Sequence, residues 1–414
     1  MQDTPPPAAV VADTPAVATA GVVPAGVVPG VEVLLRDSLH LVRGRRVGLI
    51  TNPTGRDRVG TSTADLLARA PGVRLTALFG PEHGIRGTAA AGAHVASSVD
   101  SATGVPVYSL YGATRAPTRE MLRDVDVLVY DIQDVGARVY TYVWTMALAA
   151  AAADSAGVPF VVLDRPDPVR ADRVEGGVLD PRFASFVGQY PVAMRYGLTP
   201  GELLRYLTGT GRVHVSHLTV VPMRGYRRCA WYADTRLPRL NPSPNLRDAD
   251  AELLYTGTVL FEGTNVSEGR GTDAPFTLVG APWLADAPAL AAALNARAAR
   301  DSALGGVRFE AVARAVAAGT EKFGGQTLPM LRVVVTDRDR VRPDAVGLWM
   351  LRTIYAAHPR EFAWRTAPAD RLAGSDRMRQ AVEGGDEQVA ALLARYAEEA
   401  GRFGREAEPY RLYH

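Results

Sequence analysis

Between Arg45 and Leu163 the chain repeats one theme: a short apolar, β-rich run, a loop holding Gly, Pro or Asp, and in several of the gaps a helical stretch. The runs are Val47 to Thr51, Val73 to Phe79, Val105 to Leu110, Val125 to Tyr130 and Val158 to Leu163; helices are expected at Thr63 to Arg69, Thr118 to Arg123 and Tyr140 to Ala156. Continuously apolar strands alternating with helices need helical layers on both faces, which is the condition of a parallel sheet. The first half is therefore expected to be an α/β domain built on such a sheet.

In an open α/β sheet, ligands bind beyond the carboxyl ends of the strands. Polar residues gather at those ends here. Asn52 follows the first run and Tyr111 the third; Glu82, His83 and Arg86 follow the second; Asp131, Gln133, Asp134 and Arg138 follow the fourth; Asp164 and Arg165 follow the fifth. The densest is Phe79-Gly-Pro-Glu-His-Gly-Ile-Arg-Gly87, with an acid, a base and a cation within five residues. An ordinary solvated turn would also use Gly and Pro. Acids, amides and arginines at several strand ends favour a cleft.

Several chemistries lack their residues. No Gly-x-Gly-x-x-Gly follows the first run, Thr208-Gly-Thr-Gly-Arg212 lacks the third glycine, and there is no P-loop. Gly60-Thr-Ser-Thr-Ala64 is a poor imitation of a serine-hydrolase elbow. The seven histidines are scattered without His-Glu-x-x-His, and Cys229 is alone, so neither a metal site nor a disulfide framework is expected, and no cofactor. Net charge is +2 with no basic block, which gives no reason to expect a nucleic-acid partner. No membrane span is expected either; the closest apolar run, Ala147 to Ala153, reads as a buried helix. Residues 1–30 form a Pro/Ala/Val-rich segment without a basic residue and read as a flexible tail. Such tails often precede exported domains, so a secreted or periplasmic protein is expected ahead of a cytoplasmic one. What remains is carboxylate chemistry.

The division expected is a tail over 1–30, a catalytic domain over 31–250 and a smaller α/β domain over 251–414 that contributes to the cleft. Thr199-Pro-Gly-Glu202 reads as a capping box, which gives Glu202 a structural task. Leu240-Asn-Pro-Ser-Pro-Asn-Leu246 presents amides on a stiff backbone, although Asn245 is equally suited to cap a helix near Asp248 to Leu254. Val259 to Thr272 repeats the opening logic, a strand and then Glu262, Asn265, Glu268 and Arg270 among glycines. Further on, helices are expected near Pro288 to Arg300, Ala345 to Ala357 and Glu387 to Ala400, with a strand at Leu331 to Val335.

Six motifs in one order carry a resemblance: Gly48-Leu-Ile-Thr-Asn-Pro-Thr-Gly55, Leu78 to Gly87, Asp131-Ile-Gln-Asp-Val-Gly-Ala-Arg138 with Tyr140-Thr-Tyr142, Asp164-Arg-Pro-Asp-Pro168, Asn241-Pro-Ser-Pro-Asn245 and Glu262 to Thr272. From Leu34 to Tyr413 the sequence resembles the exo-β-N-acetylmuramidase family. The resemblance implies a Rossmann-like N-terminal domain, a smaller C-terminal domain and an active site between them. It also implies release of N-acetylmuramic acid from the non-reducing ends of peptidoglycan fragments, by hydrolysis or, as in some relatives, by elimination. Muramyl saccharides are thus the expected partners, and Glu82 matches the family's suspected catalytic glutamate. Glu321-Lys-Phe-Gly departs from the small or polar loop more usual there.

Glycoside cleavage ordinarily uses two carboxyl groups. Glu82 is the expected general acid, and His83 either orients it or packs. Glu262 and Glu268 are the candidates for the second carboxylate, with Asp131 and Asp134 behind them; the substrate's acetamido group is the alternative nucleophile. A lactyl carboxylate suits a bidentate arginine, for which Arg86, Arg138 and Arg270 qualify. Asn52, Gln133, Asp164, Asn245 and Asn265 complete the expected substrate contacts, and Tyr140 and Tyr142 line either the sugar face or the core. A glycan-binding protein without catalysis and a nucleotide-sugar transferase are the rivals; the first would show aromatic platforms with few buried acids, the second a phosphate-cradling loop.

Overall fold

The computed structural model describes residues 9–10, 26–82, 84–85, 98–112 and 114–414. Its strands in chain order are β1 (Ala9–Val10), β2 (Arg46–Thr51), β3 (Arg74–Gly80), β4 (Ser98–Val99), β5 (Pro106–Ser109), β6 (Val127–Asp131), β7 (Phe160–Leu163), β8 (Glu175–Val178), β9 (Ala193–Arg195), β10 (Leu218–Val221), β11 (Leu278–Gly280), β12 (Val307–Ala315) and β13 (Thr327–Val335). The helices are α1 (Gly30–Asp37), α2 (Thr63–Arg69), α3 (Tyr142–Ser155), α4 (Pro200–Gly209), α5 (Ala249–Thr258), α6 (Ala287–Ala298), α7 (Pro343–Ala357), α8 (Thr366–Ala373), α9 (Arg377–Gly384) and α10 (Asp386–Ala407).

The large sheet runs β1-β10-β7-β6-β2-β3-β5-β4, and every pairing is parallel except β4 with β5. Numbered by appearance, the six main strands lie 3-2-1-4-5-6, the doubly wound dinucleotide-fold order, with its switch point between β2 and β6. Alternation along each strand sorts the core. Val127 and Val129 point into one layer with Leu34 and Leu67, while Leu128 and Tyr130 point into the other with α3 and α4. That second layer continues without a break into the C-terminal domain, which joins α5, α6 and α7 to the antiparallel sheet β11-β13-β12.

Three expectations need correction. Residues 118–123 form successive turns rather than a helix, with Leu122 N–H on Thr118 O and Arg123 N–H on Glu120 O. Val259 to Phe261 is not a strand: α5 passes directly into a 3-10 turn over Val259–Gly263. α5 packs on α7 at Gly257, where a Cβ would stand 1.9 Å from Pro343 O, and helical geometry carries on past that contact. The cap of α5 is Asp248, whose carboxylate accepts from Ala251 N–H at 2.8 Å, not Asn245. Within residues 1–30, Ala9–Val10 pair in parallel with β10, and Val27 and Val28 are buried.

The Thr199-to-Glu202 capping box forms, but Glu202 does more than cap. Its buried carboxylate also takes Arg228 at 2.6 Å and the Leu412 N–H at 2.7 Å. Tyr413 then reaches the end of β7, its hydroxyl donating to Asp164 at 2.6 Å. The C-terminal segment is thus stitched into the first domain.

Candidate active site

Two loops face each other across a cavity of about 340 Å³. One wall comes from the sheet: Glu82 just past β3, Tyr111 past β5, and Tyr140 and Thr141 leading into α3. Thr141 Oγ1 donates to Glu82 Oε2 at 3.2 Å. The Tyr111 hydroxyl, also beside Glu82, is pushed up to about 12, first by burial and then by that carboxylate's charge. It therefore stays protonated across the neutral range and available to donate to Glu82.

The other wall comes from the C-terminal domain. Glu262, at the end of the 3-10 turn, meets Arg270 Nη1 at 2.5 Å, and the same nitrogen holds Glu268 at 2.9 Å. Lys322 Nζ contacts the far side of Glu268 at 3.0 Å. Charge thus alternates through four side chains, Lys322, Glu268, Arg270 and Glu262. Burial raises the Glu262 pKa beyond what Arg270 offsets. Burial also acts upward on Glu268, but Lys322 and Arg270 more than offset it and hold that carboxyl below its ordinary value. An aromatic chain links the walls: Tyr142, Tyr140, Tyr255 and Phe276 meet edge to face at 4.8, 5.9 and 4.8 Å between centroids, and Arg270 lies over Phe276. A wider chamber of about 710 Å³ shares Glu262, Arg270, Asn245 and Tyr111 with the first and extends to Arg365 and Arg371.

Of the expected site residues, Glu82, Tyr140, Asn245, Glu262 and Arg270 line the inner cavity, and Glu268 lines the wider chamber. His83 and Arg86 lie outside the described residues. Tyr142 stands behind Tyr140, with its hydroxyl donating to Pro242 O at 2.7 Å and so fixing the Asn-Pro-Ser-Pro-Asn loop to α3. Tyr142→Phe is expected to cost about 1 kcal/mol in a denaturant titration, since it orphans one acceptor, and to raise KM through a looser Asn245.

The remaining residues are taken up by burial or by hydrogen bonds within the protein. Asp131 is fully buried and grips Arg165 at 2.5 and 2.9 Å. Asn52 is turned onto Thr54, its Oδ1 accepting the backbone N–H at 2.9 Å, and Gln133 donates to Asp134 O and Pro166 O. Among the described residues these groups crowd the switch point, and a side pocket of about 50 Å³ lies beside Asn52. Asp134 accepts from Tyr196 and from Gly136 N–H, and burial pushes it up to about 7. Asp164 is likewise pushed up to about 7 and is occupied by Thr199, Gly201 N–H and Tyr413. Arg138 is sealed beneath the wall with one bond to Leu372 O, and burial lowers its pKa to about 10. Asn265 ties its loop to Glu361 O and Ala363 N–H. Strand-end position does not give each side chain's direction, because the same ends also carry an internal ion pair, Asp131 with Arg165, and hydrogen bonds that reach the second domain at Tyr413 and Leu372.

Sequence reasoning did not put Thr141, Tyr255, Phe276 or Lys322 at the site. Thr141 lies between two tyrosines that were singled out, and Lys322 is the only lysine in the chain, so both carried a usable signal. Tyr255 and Phe276 carried none beyond aromaticity. Among the described residues no group of three or more His, Cys, Asp or Glu could hold a metal ion, and no helix is long and apolar enough to cross a membrane.

A doubly wound α/β domain and a smaller α/β domain that oppose carboxylates across a sugar-sized cavity define the class, a two-domain glycoside hydrolase. The chain belongs to the exo-β-N-acetylmuramidase NamZ family, whose N-terminal domain it matches over residues 47–250 and whose C-terminal domain it matches over 253–413. It is 42% identical over 385 residues to the peptidoglycan β-N-acetylmuramidase NamZ of Bacillus subtilis (strain 168), spanning 93% of this chain and 91% of that protein. Two crystal structures of DUF1343 family proteins from Bacteroides fragilis NCTC 9343 share the fold. One is 35% identical with a TM-score of 0.84 and the other 28% identical with 0.73; each alignment covers 94% of this chain and 99% of the other.

Proposed function

We propose that this protein hydrolyses the β-1,4 linkage that joins a non-reducing terminal N-acetylmuramic acid to a peptidoglycan fragment, with Glu82 as general acid and Glu262 as the second carboxylate. The observation that carries this is the placement of Glu82 and Glu262, from different domains, on the same cavity of about 340 Å³. Glu82 sits beside the hydroxyls of Thr141 and Tyr111, which fix the direction of its carboxyl group in the cavity. Glu262 shares the cavity with Glu82, whereas Glu268 lines only the wider chamber and is committed to Lys322 and Arg270. Arg270 uses Nη1 for both glutamates, and Nε and Nη2 make no hydrogen bond to a described residue, which suits them to a lactyl carboxylate.

Incubation with a muramic-acid-terminated disaccharide followed by mass analysis tests the reading. One added water supports hydrolysis, an unsaturated sugar points to elimination, and no product overturns both. The anomer formed first, read by NMR, separates retention from inversion. The secreted or periplasmic setting belongs to the same proposal, and fractionation of the source cells tests it.

Glu262 must be ionised to act as base or nucleophile. Because its pKa is raised in the fold, kcat/KM should fall on the acid side at a pH above the ordinary glutamate value of 4.5. Arg270 opposes that rise, so Arg270→Gln should move the acid limb to still higher pH. A limb that stays put would remove Glu262 from the pH profile.

A further inference from the structure

We propose that Lys322 serves as a tethered cation: its ammonium fills an oxygen cage inside the loop that carries Glu262 and Glu268, and so positions that loop against the cavity. The inference rests on the reading of Glu262 as second carboxylate, and it adds a residue that acts through others.

The cage has three acceptors, Phe261 O at 2.9 Å, Val266 O at 2.8 Å and Glu268 Oε2 at 3.0 Å, matching the three donors of one ammonium. All three belong to the segment that runs from just before Glu262 to just before Arg270. Lys322 itself comes from elsewhere, the turn between β12 and β13, with a side chain only 13% exposed. That turn is built to deliver it. Phe323 takes φ +60, a left-handed conformation uncommon outside glycine, and its ring packs on the C-terminal core. Ala317 N–H donates to Gly271 O at 2.8 Å, and Gly271, at φ +81, lets the turn approach so closely that a Cβ would stand 2.2 Å from Thr320 Oγ1.

A guanidinium is a planar fork and cannot point three donors at one converging cage, whereas an ammonium can. In a chain with one lysine and 45 arginines, that lysine stands where the geometry demands a compact cation. The consequence passes along the loop: Lys322 holds Glu268, Glu268 shares Arg270, and Arg270 sets the direction of Glu262.

Lys322→Ala empties the cage without filling it, so kcat/KM should drop on the order of 10²-fold, and added ammonium or methylammonium chloride should restore it saturably. Tetramethylammonium at equal ionic strength should not, since it has no donor. Lys322→Arg should stay impaired with or without ammonium. Alongside activity, the melting midpoint of Lys322→Ala should rise with ammonium and not with tetramethylammonium; this arm stands even if the muramidase reading fails. Lys322→Gln, which keeps two donors, should lose less activity than Lys322→Ala and provides a second folded variant. Full activity in Lys322→Ala, equal activity in Lys322→Arg, or neither rescue nor a selective midpoint shift by ammonium would each overturn the proposal.

Discussion

Glu82→Gln is expected to lower kcat on a muramic-acid-terminated disaccharide by about 10²- to 10⁴-fold, or about 3 to 5 kcal/mol of barrier, with an unchanged melting curve. Glutamine keeps one oxygen to accept from Thr141 and loses the transferable proton. The loss should therefore depend on the leaving group. With a 4-nitrophenyl muramide, whose phenolate departs unprotonated, the variant should recover most of its rate. Equal loss on both substrates would assign Glu82 to binding, and full activity on the disaccharide would remove it from the mechanism.

Glu202→Ala is expected to have the largest effect on stability. The carboxylate is fully buried, and its removal leaves Arg228 charged and unpaired in the interior; breaking such a pair costs about 3–5 kcal/mol. Loss of the α4 capping box adds about 1 kcal/mol. Denaturant titration should show the drop, and limited proteolysis should release the segment near Leu412, whose N–H has lost its acceptor. Glu202→Ala with Arg228→Met should recover part of it, since the orphaned charge is gone. A double variant as unstable as the single would mean that capping and the tail contacts, not the ion pair, dominate.

Much of the first domain was legible because its strands are apolar on both faces, a pattern that few architectures other than a helix-covered parallel sheet accommodate. The Phe79-to-Gly87 and Glu262-to-Thr272 segments were recognisable as carriers of chemistry, and Glu82, Glu262 and Arg270 line the cavity. Val259 to Phe261 misled because β-branched and aromatic residues favour strands, whereas here they continue directly from α5. Asp131, Asp164 and Arg138 misled for a different reason. Position in a motif says that a side chain matters at a strand end, not whether it faces ligand or clamps a neighbour, and here Arg165, Tyr413 and Leu372 are the neighbours. The β12 strand was missed because its exposure alternates like a solvated edge.

The stitching of Leu412 and Tyr413 into the first domain also bears on how the polypeptide acquires its fold during synthesis. The acceptors on Glu202 and Asp164 are made early, but the donors at Leu412 and Tyr413 leave the ribosome 210 and 249 residues later. Until then Glu202 keeps Arg228 and the Thr199 N–H, and Asp164 keeps Thr199 and the Gly201 N–H, but each lacks the donor that the C-terminal segment brings. Completion of the first domain therefore waits for residues 412 and 413, and residues 31–250 produced alone would resemble that waiting intermediate rather than an independent enzyme half.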